Sequence, residues 1–344
     1  MGGKVTEEQE EALIGEDGRP RFGLYPRPLT RYNLKDFRPY GKKGPPSSAR
    51  RFWMKYRLKQ WQFLGLVNQD LIFGLAVVRL GYLCNLFAYL FERPNRQLFR
   101  WDLISPGGKA ASFQGTSEKG EILFRKGETQ ILIRSRPSTI HLTGSIQKGL
   151  RVDLTFHREA EPLICLTRIG LKGFNYTHKE AGLPVHGTIA YQDLSLNIEA
   201  ASAFGVLDYT LGLPGRETFW NWAAGGGRDK QGNRIGFNLV QGINETGFTE
   251  NAFWVNGRLV KTDVADFRYD DLEPLKPWRI ASNDGRVRLC FFPEGARSAD
   301  IQGGLIISRF RQPFGRFEGT LTDGATLIEL DKAAGFTEEH FAKW

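Results

Sequence analysis

Asp208 and Glu250 are the two carboxylates whose neighbours suit acid–base work on an apolar molecule. Asp208 interrupts the series Leu207, Tyr209, Leu211, and Glu250 with Asn251 leads into Phe253 and Trp254. Burial disfavours the charged form of a carboxyl, so a carboxyl in an apolar cavity can hold a proton and deliver it to an alkene while a second polar group positions water. The same residues would serve structurally, Asp208 as a ladder or turn partner and Glu250 with Asn251 as a loop anchor. Trp220 and Trp222, two apart in "TFWNWAAGGG", share one face of a strand. They form either a ligand wall or part of a barrel core, and Asn238, Asn251 and Trp254 complete the candidate ligand contacts.

A second polar group, Tyr176, His178 and Lys179, falls in the stretch "KGFNYTHKEAGLPVHG" (172–187), which reads as a connecting loop. Histidine can shuttle protons near neutral pH and lysine can bind an anionic head group. His186 in the same stretch is expected to face solvent. Cofactor and metal chemistry find little support. Gly225, Gly226 and Gly227 complete neither G-x-G-x-x-G nor a Walker loop, since residue 230 is lysine, and they read as a flexible hairpin connection. Five histidines without a paired spacing make no metal site. No cofactor is expected.

The elements that must carry these residues are strands. Turn signals recur every 8 to 12 residues from about position 55 to 331, among them Asn256-Gly257, Asp284-Gly285 and Asp323-Gly324. In "LRVDLTFH" (150–157) apolar and polar residues alternate without exception, the mark of a strand with one buried face. The most hydrophobic stretch, residues 71–91, has the length of a membrane span, but Arg79 and a Leu-Gly-Tyr break divide it into two buried strands. Helical periodicity is absent until "DKAAGFTEEHFAKW", where a short C-terminal helix is expected. The fold class is all-β, with an N-terminal arm over residues 1–50, one β domain over 51–200 and a second over 201–344.

Composition excludes disorder: 41% of the 344 residues are hydrophobic and 25% charged. The net charge of +9 is concentrated in residues 19–59, where thirteen Lys and Arg face the single acid Asp36. Such an arm can lie on an anionic membrane surface, or serve as a strap held to the body by its aromatics. Nucleic-acid binding is not expected, because the basic residues are not interleaved with aromatics on one sheet. Three widely spaced cysteines define no disulfide framework, and no secretory signal is apparent, so a cytoplasmic location with peripheral membrane contact is expected.

The succession "YRLKQW" (56–61), "RLGYLCNLFAYLFE" (79–92), "YTHKEAGLPVHG" (176–187), "TFWNWA" (218–223), "IGFNLVQG" (235–242), "ENAFWVNG" (250–257) and "GRFEGTL" (315–321) resembles a widespread domain-of-unknown-function family. More remotely, the pattern is similar to the double lipocalin-like superfamily that includes carotenoid 1,2-hydratase, tocopherol cyclase and some fungal pericyclases. That resemblance implies two antiparallel lipocalin-like barrels side by side with an apolar cavity. The functional expectation is binding or carriage of a hydrophobic small molecule, lipid or isoprenoid. The alternatives are a cofactor-independent hydratase, cyclase or isomerase, and an interaction module without ligand.

Overall fold

The computed structural model describes residues 11–39, 48–147, 149–303 and 306–344. The start of the acidic leader, residues 40–47 of the basic arm and Lys148 lie outside the described residues. Period-two patterning builds nearly all of the rest. In the strand Leu150–His157, Leu150, Val152, Leu154 and Phe156 are buried while Arg151 and Asp153 are exposed. The apolar stretch is indeed two strands, Leu71–Arg79 and Leu83–Glu92, paired antiparallel.

Two curled antiparallel sheets result. The first has fourteen strands, of which eleven run in the order Gln97–Pro106, Leu83–Glu92, Leu71–Arg79, Lys59–Val67, Phe204–Gly212, Gly173–Tyr191, Leu150–His157, Thr139–Ile146, Thr129–Ser135, Gly120–Lys126 and Ala111–Gly115. Gly23–Tyr25, Leu163–Ile169 and Leu194–Ile198 attach beside that path. The second has nine strands, in the order Arg258–Lys261, Ala252–Val255, Arg234–Gln241, Glu217–Arg228, Leu327–Lys343, Ile306–Thr322, Val287–Gly303, Trp278–Ser282 and Ala265–Arg268. Each sheet curls around its own apolar core, and a third core fills the space between them. This is the architecture of two lipocalin-like barrels packed side by side.

The chain crosses from one sheet to the other between Gly212 and Glu217, later than the expected boundary at residue 200, because Phe204–Gly212 pairs between two strands of the first sheet. The N-terminal arm is a strap: Leu13, Ile14, Leu29 and Phe37 are buried in the first barrel's core, and Gly23–Tyr25 pairs with Leu163–Ile169. A helix, Ser48–Arg57, joins the arm to the first barrel.

Three expectations are corrected. The C-terminal segment is not a helix but the strand Leu327–Lys343, inserted between two partners. Its Ala, Glu and Lys residues favour helix locally, yet two backbone ladders and burial override that weak preference. Residues 172–187 are not a loop: they belong to the long strand Gly173–Tyr191, which holds both halves of the first barrel together. The glycines 225–227 are not a flexible connection either. They lie buried inside the strand Glu217–Arg228, and a Cβ on Gly226 would come within 2.8 Å of Phe204 Cβ on the facing sheet.

The sheets approach most closely where the first bulges. At Gly182, φ is +74° and the register shifts between Ala181 and Leu183. Opposite it, a Cβ on Gly236 would lie 2.3 Å from the Ala181 carbonyl carbon and 2.4 Å from the Gly182 nitrogen. Backbone atoms cannot move aside as a flexible side chain can. Gly236→Ala is therefore expected to lower the unfolding free energy in urea by roughly 1–3 kcal/mol, the range of overpacked cores. An unchanged denaturation midpoint would show that the sheets do not touch there.

Candidate functional site

Between the sheets lies a cavity of about 400 Å³, within the range of small-molecule sites. Alternation along the strands decides which residues reach it. From Lys59–Val67 the odd positions Trp61 and Phe63 face the gap, and from Phe204–Gly212 the even positions Asp208 and Thr210 do. Trp220 and Trp222 project from the second sheet, so both indoles line the cavity, as does Trp61, stacked on Trp220 with ring centroids 6.5 Å apart. The lining is mostly aliphatic and aromatic, with a few polar side chains gathered at defined places.

The first such place joins both sheets. Lys179 Nζ lies 2.6 Å from Asp208 Oδ1 and 3.6 Å from Glu250 Oε2. All three are buried, and all three line the cavity. Lys179 also sits 5.5 Å from the centre of the Trp222 ring. Burial works against its ammonium, but Asp208 and Glu250 outweigh that cost, and its pKa is raised. Thr210 Oγ1 donates to Asp208 at 3.3 Å, Trp61 Nε1 approaches the other carboxylate oxygen at 3.5 Å, and Asn244 donates to Glu250. Glu250 Oε2 accepts no hydrogen bond. A second ammonium, Lys261, stands behind Glu250, donating to the carbonyls of Thr249 at 2.6 Å and Asn251 at 2.7 Å, so two carboxylates meet two lysines here.

The other candidates are divided by strand parity. In Gly173–Tyr191, Lys179 points into the gap, whereas Tyr176 and His178 point the opposite way, into the first barrel, and do not line the cavity. There His178 Nδ1 is 2.8 Å from Ser117 Oγ and its Nε2 is 2.7 Å from Glu180 Oε1. Arg158 donates to Glu180, and Tyr176 and Tyr32 both meet Ser117. Since Tyr32 belongs to the strap, this network pins the strap to the barrel. His186 is exposed, as expected, and stacks on His157.

Asn238, Asn251 and Trp254 stand behind the cavity wall. Asn238 accepts from Trp222 Nε1 at 2.8 Å and donates to the Glu250 carbonyl, so it orients an indole of the wall. Asn251 bonds the backbone at Val240 and Asp263, and Trp254 Nε1 donates to the Glu161 carbonyl.

Sequence reasoning missed a second polar place on the facing wall. Glu338 accepts from Trp220 Nε1 at 2.8 Å and from Gln312 at 3.0 Å. His340 Nδ1 is 3.7 Å from Glu338, and its Nε2 is 2.9 Å from Ser308 Oγ. A helix would have placed residues 338 and 340 on different faces, while a strand places them on one. A third polar place is Arg297 with Asp102, beside Phe87 and Phe310. Among the described residues, no cluster of His, Cys, Asp and Glu has the makings of a metal site.

The profile of a family described as a domain of unknown function (DUF2804) matches residues 4–344. The chain belongs to that family. No curated protein matches its sequence. The crystal structure of CghA with Sch210972 is similar, with a TM-score of 0.53, 12% identity, and coverage of 82% of this chain and 88% of that one. The kievitone hydratase of Nectria haematococca superimposes with a TM-score of 0.51 at 10% identity, covering 82% and 88% of the two chains. An AttH-type protein of Nitrosomonas europaea gives 0.50 at 13% identity, over 87% and 98%. At such identities the likeness is one of fold: the double lipocalin-like architecture.

The network under the strap titrates. Burial lowers the His178 pKa below 6.5, with Glu180 pulling the other way. Burial opposes the charge of Glu180, but its bonds and charge interactions with His178 and Arg158 win, and its pKa lies below 4.5. Both folded values are depressed, so the stability they contribute is present above the unfolded values and lost as pH falls through the folded ones. Urea unfolding followed from about pH 8 to about pH 4 is expected to show falling stability, beginning near the histidine range. In Glu180→Gln the carboxylate that holds the His178 pKa up is gone, so the fall in the histidine range should deepen, while the further fall that Glu180 adds in the carboxylate range should disappear; an identical pH profile would exclude this network as its source.

Proposed function

We propose that this protein is an enzyme acting on an unsaturated apolar substrate held between its two barrels, catalysing water addition, cyclisation or isomerisation by proton transfer. The observation that carries the reading is the meeting of Asp208, Lys179 and Glu250 in an otherwise apolar cavity. A carrier of hydrophobic molecules gains nothing from three buried charges, which are costly to desolvate and concentrate at functional sites. That one protein of this fold is a kievitone hydratase supports catalysis over carriage.

The chemistry follows from charge. A substrate that displaces water from the group raises the cost of holding two carboxylate charges in an apolar cavity, and so favours uptake of one proton. Asp208, facing Trp61 and Thr210, passes that proton to an alkene carbon, and the positive charge left on the neighbouring carbon lies among the Trp61, Trp220 and Trp222 rings, whose faces attract cations. Water then adds to that carbon and loses a proton, giving an alcohol. Alternatively a second double bond attacks and closes a ring, and the positive charge that moves to its far carbon is discharged by loss of a neighbouring C–H proton, or a C–H next to the first cation loses its proton and the alkene is shifted. His340, on the facing wall, is positioned to take the released proton. In each outcome the protein finishes with the protons it began with.

The reaction can be sought without knowing the substrate. The protein is incubated with an apolar cell extract in water enriched in deuterium and oxygen-18, and products are read by mass spectrometry. A hydratase incorporates both labels, and a cyclase or isomerase incorporates deuterium alone. Asp208→Asn and Glu250→Gln are each expected to reduce labelling at least tenfold while the fold survives. A compound retained by the protein and recovered unlabelled would instead establish carriage.

Substrates of this kind dissolve in membranes, and the cavity mouth has a surface to match. Leu80, Leu83 and Trp344 line the cavity, and the turn holding Gly81 abuts the end of the Ser48–Arg57 helix at Lys55. On that helix Phe52, Trp53 and Tyr56 are exposed beside Lys55, while Ile104 and Ile301 are exposed at the cavity rim. Exposed aromatics next to basic residues suit an anionic lipid surface. The protein is expected to sediment with vesicles containing phosphatidylglycerol and less with phosphatidylcholine alone, and Phe52→Ser with Tyr56→Ser should abolish the difference. Equal sedimentation with both vesicle types would remove this face from the proposal.

A further inference from the structure

Arg297 is a cation of the cavity wall with a buried donor left unpartnered. It is 4% exposed and its guanidinium lies against two rings, 4.3 Å from the centre of Phe87 and 4.9 Å from that of Phe310. One terminal nitrogen is bonded to Asp102, but Nε, buried, has no partner. A buried donor left without an acceptor is unfavourable, and one on a cavity wall is relieved when a ligand brings the acceptor. Asn85, also on the wall, has a buried side-chain oxygen without a partner.

Charge indicates what the acceptor is. The Asp102 side chain is 44% exposed and that of Arg297 only 5%, so water screens the carboxylate while the guanidinium keeps its field toward the interior. Glu338 lines the same cavity, but both its oxygens already accept bonds, from Trp220 and from Gln312, so neither is left for the Arg297 donor. At the other place the ammonium of Lys179 already has two carboxylates, Asp208 and Glu250, for partners. The two places are separated by successive aromatic contacts: Phe87 to Phe63 at 6.5 Å, Phe63 to Trp222 at 5.4 Å, and Trp222 to Lys179 at 5.5 Å.

We propose that the ligand of this cavity carries an anionic oxygen, of carboxylate or enolate type, which the Arg297 guanidinium binds, and that this orients the hydrocarbon part along Phe87 and Phe63 toward Lys179 and Asp208. The assignment rests on the cavity being the ligand site, and names the substrate class: an unsaturated amphiphile with an acidic end. An arginine suits the task because its guanidinium has five donors, and can hold Asp102 while it binds a second acceptor.

The test compares dodecanoic acid with its methyl ester, each displacing the neutral dye Nile red from the full chain below the micellar range. The acid is expected to displace dye at least tenfold more effectively than the ester. In Arg297→Gln that preference should vanish while dye and ester binding persist, and in Arg297→Lys, which keeps the charge beside Asp102, it should be reduced. Equal displacement by acid and ester in the unaltered protein, or a preference that survives Arg297→Gln, overturns the proposal. Failure of the dye and both probes to bind overturns it together with the cavity as a ligand site. Isotope labelling reads turnover separately, so loss of the acid preference with labelling intact removes only the role of Arg297.

Discussion

The contact of Gly182 with Gly236 sets the separation of the two sheets, and nearly everything at the site follows from that distance. Two curved sheets can pack face to face only as closely as their side chains permit, and here neither residue has one. The bulge at Gly182 turns the backbone toward the second sheet, and the absence of a Cβ at Gly236 lets it arrive. Close approach at this point brings Lys179, three residues before the bulge, within reach of Glu250 on the other barrel. Beyond that point the sheets diverge, and the space between them is the cavity.

A buried ion group spanning two sheets is a weak source of stability, because desolvation of the charges offsets most of their attraction. Its arrangement is nevertheless closely specified. Asp208 is placed by its ladder with Lys59–Val67 and with Gly173–Tyr191, where it lies directly opposite Lys179. Glu250 is held by Asn244, itself bonded to Asn175 of the first sheet. Such support suits a group that must keep its geometry while the cavity fills and empties.

Much of the fold was legible in the sequence, since strands with one wet face declare themselves, as Leu150–His157 does. Strands buried on both faces do not. In Gly173–Tyr191 the residues from Phe174 to Val185 are all buried, so polar and apolar residues mix and the segment reads as a loop. The tail misleads for the same reason: Ala333 to Glu338 are buried without alternation, and the local composition favours helix. The candidate site was legible in part. Asp208, Glu250, Lys179, Trp220 and Trp222 meet at one cavity, but Tyr176 and His178, adjacent to Lys179 in sequence, were grouped with it because a loop imposes no parity. A strand does, and it sends them into the interior of the first barrel, away from the cavity. Glu338 and His340 escaped notice because the helical reading of the tail set them apart.

That division has a consequence for how the molecule uses its two barrels. The resemblance to single-cavity binding folds invites a search for a ligand inside a barrel, yet the first barrel's interior holds the strap residues Leu13, Ile14, Leu29 and Phe37, locked by Tyr32 onto Ser117. A barrel filled by its own chain is a rigid support, and its outer surface is then free to serve as one wall of a cleft. The second barrel supplies the other wall with Trp220, Trp222, Glu338 and His340. Each wall is a sheet face with a regular two-residue repeat, so a substitution at an odd or even position alters either the cleft or a barrel interior, seldom both. This separation lets a substitution change the chemistry of the cleft while the barrels that bear it stay intact.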